Sequence, residues 1–266
     1  MALWSGSAGV GAPCGPDYPC ASFASRLDFR YAPAIAHTMR NWGLYETDGS
    51  RHFHSRRDSL PWAAFSSSGS ALDDGPYPAC HLAPMPWERV GELIAALRTR
   101  GASAISVDLH DRELAQHTLE ELAALLDGAQ MFFPSRQDVD VLFPGTPPSQ
   151  ALLRLRERMS SLPVLGVKCG ADGAIVHGAG AATYVFTPAV AAPAFDATGA
   201  GDAWCGGFLS GFAATGDVVT SALRGAVAAS FAVAEIGPAA LAGADREQAE
   251  QRLTVLRERV EERAFR

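Results

Sequence analysis

The sequence has no Cys-x-x-Cys pair. Its five cysteines, Cys14, Cys20, Cys80, Cys169 and Cys205, are odd in number and widely spaced. They read as reduced thiols and not as a disulfide framework or a zinc clasp. No apolar run approaches the roughly 18 residues of a membrane span. No charged stretch precedes an apolar core at the N-terminus, so no signal peptide is expected. Basic clusters are lacking too: net charge is -7, the isoelectric point is near 5.5, and Arg56-Arg57 is only a pair. That balance speaks against nucleic acid and membrane surfaces as partners. Repeats and low-complexity linkers are absent. What is left is the expectation of a soluble, cytoplasmic protein. Its 266 residues, 48% hydrophobic, suffice for one large domain, or one domain with a small lid.

One stretch stands out, Phe195-Asp-Ala-Thr-Gly-Ala-Gly-Asp-Ala-Trp-Cys-Gly-Gly-Phe208. Thr198-Gly-Ala-Gly201 reads as a tight turn opening a helix, because glycine permits positive φ and close approach to the backbone. The first N–H groups of a helix have no internal partner, and the positive end of the helix dipole lies there. Such an end binds anions, phosphate above all. Asp202 falls in the first turn, beside that anion. Its carboxylate is explained either by proton removal from an incoming hydroxyl or by ordinary helix capping. Gly9 and Gly11 do not make a dinucleotide fingerprint, since the third glycine is misplaced and no helix follows directly.

Along the chain, residues 8–14 read as a short buried strand, residues 15–19 as a turn, and residues 22–27 as a helical turn or more. Residues 41–46 and 51–55, around Asp48-Gly49, read as a hairpin. His52 and His54 share one strand face, and two histidines alone make a poor metal site. Residues 66–70 and 73–76 read as loop. From Ala79 the pattern becomes regular. Trp87, Val90, Leu93, Ile94 and Leu97 recur at helical spacing, stopped by Gly101. Strands follow over 104–108, 130–133 and 162–168, then over 174–177 and 183–187, with a helix over 114–126. Later helices are expected over 222–236, buried, and over 246–263, charged and solvated. Alternating strand and helix predicts a parallel sheet covered by helices. Ligands gather at the carboxyl ends of such strands, where Asp108 and the turn 134–138 sit.

Asp196-Ala-Thr-Gly-Ala-Gly-Asp202, followed by Gly206-Gly207-Phe208, resembles the C-terminal signature of the ribokinase-like (PfkB) carbohydrate kinase family. The resemblance implies an α/β, ribokinase-like three-layer sandwich: a mainly parallel central sheet, helices on both faces and a small β lid near 41–57, all in one domain spanning 1–266. It implies transfer of a phosphoryl group from ATP, with Mg2+, to a hydroxyl of a sugar or nucleoside-like small molecule. Asp202 would be the catalytic base, and Gly199, Ala200 and Gly201 the anion hole. In several family members the first aspartate, here Asp196, helps hold a monovalent cation such as K+. Gly170 and Gly173 match the family's Thr-x-Gly-x-x-Gly segment along the nucleotide, with Lys168 in place of the threonine, to reach phosphate or to point to solvent. Cys169 lies beside the nucleotide on the same comparison, or is a small buried side chain. The hairpin would close over the acceptor, aid homodimerisation, or both.

Two departures matter. Where the family carries Asn-x-x-Glu to organise magnesium and phosphate, this chain has Ser135-Arg-Gln-Asp138, with the spacing kept and both side chains shortened. Asp138 can still hold magnesium through water. The same pair is also good capping chemistry for a helix. Further, the family's first strand and its early Asp and Gly-Gly-x-x-Asn region have no counterpart before Ala8, so a truncated or natural short form is expected. A second reading follows from these departures, a non-catalytic nucleotide-binding scaffold on the kinase fold. A vitamin-type hydroxyl kinase is a third.

Overall fold

The computed structural model describes residues 1–46, 51–73 and 75–265. The N-terminal part is built of short pieces: α1 (Ala2–Ser5), β1 (Ala8–Gly9), α2 (Cys20–Phe23) and β2 (Leu27–Asp28), with β1 and β2 paired in parallel. The strand expected over 8–14 is thus confined to two residues, neither of them buried, because Cys14 turns to bridge Ala34 instead of continuing the ladder. The hairpin exists as β3 (Arg40–Tyr45) and β4 (Arg51–Arg56), antiparallel and separate from the main sheet. Trp42 faces His54 across it. Its Asp48-Gly49 turn lies outside the described residues, as does Asp74 in the loop over 73–76.

The main sheet contains β5 (Ala79–Leu82), β6 (Ala104–Val107), β7 (Met131–Phe132), β8 (Val164–Lys168), β9 (Ala174–Gly178), β10 (Thr183–Thr187) and β11 (Glu261–Ala264), side by side in that order. β5 to β8 are parallel, and β9 to β11 extend the sheet antiparallel. Helices join the strands: α3 (Trp87–Thr99), α4 (Asp111–Leu114), α5 (Leu119–Leu125), α6 (Arg136–Leu142), α7 (Pro148–Arg158), α8 (Ala200–Thr215), α9 (Val218–Ala232), α10 (Ala239–Gly243) and α11 (Arg246–Arg257). None of the described helices is long and apolar enough to cross a membrane.

The parallel strands are short and largely apolar on both faces, as strands covered on both sides must be, with His81 and Ser106 satisfying each other at 2.8 Å. Ile105, Val107, Phe132, Leu165 and Val167 pack with α3, α5 and α7. Their neighbours Ala104, Met131, Phe133 and Val164 pack with α8, α9 and α11. This period-2 split builds the three layers. On α3, Val90, Leu93, Ile94 and Leu97 form the buried stripe, and Gly101 at φ 78° ends the run.

Three local expectations shift. The helix over 114–126 is two helices, because Thr118 and Glu121 form a capping box that starts α5 afresh. The buried helix expected over 222–236 lies at 218–232, started by the Asp217 carboxylate accepting from Thr220 N–H. The helix over 246–263 stops at Arg257, and the chain turns into edge strand β11, where Arg263 stacks 3.7 Å over the Phe186 ring.

Candidate active site

α8 opens at Gly199, whose φ of 78° is left-handed, and no side chain among the described residues caps the helix. A Cβ at Gly199 would meet nothing within 4 Å, so the backbone is uncrowded at that residue. Ala200, Gly201 and Asp202 form the first turn. The loop before it is tethered: Phe195 N–H donates to Val233 O at 2.8 Å, and Asp196 Oδ1 accepts from Thr198 N–H at 2.9 Å. The hydrogen bonds from Thr198 hold the Asp196 carboxyl below the usual carboxylate range.

Behind this helix end, three loops at the carboxyl edge of the parallel strands converge. Ser135 caps α6. Its N–H and hydroxyl both donate to Asp138 Oδ2, at 2.6 and 2.5 Å, while its hydroxyl oxygen accepts from Asp138 N–H. Ser135 also bridges Lys168, the last residue of β8. The Lys168 ammonium is buried and ion-paired with Asp108, which follows β6. Burial alone would lower the lysine's pKa, but the Asp108 carboxylate outweighs it and holds the ammonium above its ordinary value. After Lys168 the chain turns at Gly170 (φ 61°) and Gly173 (φ 98°). A Cβ at Gly173 would stand 2.1 Å from Thr187 O, so only glycine fits there. Cys169 is half-buried beside that turn, and burial raises its thiol pKa.

Asp138 is 1% exposed. Burial first, and the Asp108 charge second, push its pKa from 3.8 to about 6, against the opposing hydrogen bonds from Ser135. Between those values the folded state binds more protons than the unfolded chain, so stability falls as pH rises from about 4 to about 6. Below that window the contribution vanishes, and above it the full penalty of about 3 kcal/mol remains. Asp138→Asn is therefore expected to raise the melting midpoint at pH 7.5 by about 5 °C and leave it unchanged at pH 4. Thermal unfolding across pH, without added metal, checks this. A midpoint gain equal at both values would contradict it.

The arrangement suits a phosphate with a hydrated divalent cation. Among the described residues, Asp108 Oδ1 and Asp138 Oδ1 are buried without a hydrogen-bond partner. Buried carboxylate oxygens of this kind accept from the water shell of Mg2+, which keeps several waters. No three His, Cys, Asp or Glu residues among those described are already grouped to hold a metal. A cation here would share its ligation with phosphate and water. In sequence Asp108 shows only as an acid at a strand end. Its partner is 60 positions away, and only the sheet brings them together.

The chain belongs to the pfkB family of carbohydrate kinases, whose model matches residues 77–243. Three solved structures illustrate the fold. A nucleoside kinase from Burkholderia thailandensis, in complex with inosine, is 17% identical with a TM-score of 0.73, covering 96% of this chain and 83% of its own. A fructokinase from Vibrio cholerae, bound to fructose, ADP and calcium, is 18% identical with a TM-score of 0.68, covering 95% and 87%. A ribokinase II structure from E. coli with ATP and Mg2+ is 17% identical with a TM-score of 0.67, covering 94% and 83%. No curated protein sequence matches the chain.

Proposed function

We propose that the protein moves the γ-phosphoryl group of ATP to a hydroxyl of a sugar or nucleoside-like small molecule. The observation that carries this reading is Asp202 in the first turn of a helix that opens at an uncrowded, left-handed glycine with no side-chain cap among the described residues. The N–H groups of Gly199 and Gly201 would stabilise the charge on the transferring group as preorganised dipoles, and that of Ala200, which donates to Ala197 O at 3.2 Å, would join them by exchanging that bond. Asp202 would accept the proton of the attacking hydroxyl. Ser135 and the backbone turns at Gly170 and Gly173 would position the nucleotide phosphates. Asp138 would hold Mg2+ through water, and Asp196 a monovalent cation. Magnesium supplies charge neutralisation across the phosphate oxygens. The hairpin, with Trp42 and Leu44 exposed, would close over the acceptor and offer a homodimer contact. The relatives named for nucleosides and for fructose support an acceptor of this class.

A scaffold that binds nucleotide without turnover draws on one observation: Asp138 already serves the capping box of α6. Calorimetric titration with Mg-ATP separates the readings, followed by a panel of nucleosides, pentoses and hexoses assayed for ADP release. Saturable binding is expected, weakened about ten- to a hundredfold in Asp138→Ala, together with turnover of at least one acceptor class. Binding with no turnover across the panel would favour the scaffold. A folded sample that binds no Mg-ATP would overturn both.

A further inference from the structure

The sequence contains 22 lysines and arginines, and a single one of them is lysine. That lysine is Lys168. Its side chain is 11% exposed and is paired with Asp108, itself 7% exposed. The ammonium also lies 3.7 Å from Cys205 Sγ on α8. A Cβ placed on Gly201 would stand 3.4 Å from Lys168 Nζ. The ammonium therefore sits against the first turn of α8, at the end of the helix that carries Asp202.

A buried ion pair is a poor device for stability alone, because desolvation offsets the attraction. Its position adds a second cost. The ammonium and the positive end of the α8 dipole are brought together. Two positive poles converge on one spot, and an anion with several charged oxygens resolves the conflict. The surrounding titratable groups do so in part: the Asp108 carboxylate pairs with the ammonium, and the Asp202 carboxylate stands in the first turn itself. Asp108 engages the ammonium from the β6 side and leaves Oδ1 unpartnered. Asp138 is engaged by Ser135. The Cys205 thiol is held protonated by burial, and burial keeps the His81 ring neutral, with its pKa lowered to about 4. A compact ammonium fits beside Gly201, where a planar guanidinium fork is a different and larger shape.

We propose that Lys168 is a fixed cation of the phosphoryl-transfer centre, and that Asp108 is the positioning residue that holds its charge beneath the first turn of α8. The inference rests on the phosphotransferase reading; it moves Lys168 from a residue along the nucleotide to one that acts on the transferring group, and adds Asp108 to the site. The transferred group spreads its charge over three equatorial oxygens in the transition state. A cation already in place there acts more on that state than on bound nucleotide, since it needs no reorganisation.

The test compares wild type with Lys168→Met/Asp108→Asn and with Lys168→Gln. The double variant leaves neither charge buried alone, and the glutamine variant still donates a hydrogen bond to Asp108. Melting midpoints are measured first. Calorimetry then gives the affinity for Mg-ADP and for Mg-ADP with aluminium fluoride, a stand-in for the transferring phosphoryl. Wild type is expected to bind the fluoride complex far more tightly than Mg-ADP. In the double variant the melting midpoint should stay near that of wild type, and the separately measured Mg-ADP affinity absorbs the loss of the Asp108 contact to hydrated Mg2+. The extra tightness for the fluoride complex should fall about a hundredfold, the scale of a lost preorganised donor. Lys168→Gln should show the same loss, and it decides the matter if the double variant does not fold. Unchanged tightness in the folded variants would make the pair a structural fixture and overturn the inference. Wild type that binds no Mg-ADP would instead overturn the phosphotransferase reading, and the inference with it.

Discussion

Asp202→Asn is expected to lower phosphoryl transfer about 10²- to 10⁴-fold while leaving Mg-ATP affinity equal or slightly tighter. The asparagine keeps the size and shape of the side chain but cannot accept the proton of an attacking hydroxyl, and general-base catalysis is worth that much. Its effect on binding has the opposite sign. A carboxylate in the first turn of α8 interacts favourably with the helix dipole, yet it repels a phosphate bound at the same end. Removing its charge loses about 0.5 kcal/mol of helix stabilisation and relieves that repulsion. The measurement is ADP release with a turned-over acceptor, paired with calorimetry on the same samples. Equal turnover in both forms would sink the base assignment. Parallel losses of turnover and nucleotide affinity would mean Asp202 shapes the helix end and does not move a proton.

The parts of this site written in one continuous stretch are legible in the sequence. Glycine at 199 and 201 with an acid at 202 announces a helix end of particular chemistry, and that end is where α8 starts. The same holds for α3, where the apolar spacing alone gives the buried face, and for the hairpin, where two alternating runs flank a turn dipeptide. The illegible parts depend on distant partners. Asp108 and Lys168 each end a strand, and nothing local says that the two strands leave their tips within reach of α8. β11 is a charged segment whose pairing with β10 is fixed by a register that the sequence of residues 261–264 does not contain. The break before α5 is written locally, since Thr118 and Glu121 have capping-box spacing, but the leucine periodicity runs across it and masks it.

Gly207→Val is expected to destabilise the protein by about 3 kcal/mol or more, lowering the melting midpoint by at least about 5 °C. The glycine pair after Asp202 belongs to the signature stretch, and both residues are buried inside α8. A Cβ at Gly207 would stand 2.6 Å from Arg224 O and 2.9 Å from Gly225 Cα. From the other side, a Cβ at Gly225 would stand 2.9 Å from Trp204 O, and one at Gly211 would stand 2.7 Å from Ser221 Cα. The backbones of α8 and α9 therefore touch glycine to glycine, and a branched side chain at 207 must push the helices apart. Gly206 is the built-in control. A Cβ there meets only Met1 N at 3.0 Å and Met1 Cγ at 3.6 Å, looser contacts than the backbone crowding at 207. Gly206→Ala should leave the midpoint unchanged or raise it, since alanine is the better helix former by up to about 1 kcal/mol. Thermal unfolding of the two variants tests the contrast, and equal effects would contradict it. The consequence reaches the chemistry. On its sheet side α8 is seated by Trp204 and Phe208, whose rings lie 5.0 and 4.6 Å from that of Phe133, and on its other side by α9. Moving either contact shifts the first turn relative to Lys168 and Asp108. A milder Gly207→Ala variant that still folds should therefore lose turnover out of proportion to its loss of stability, because positioning at a reacting centre tolerates less displacement than packing does.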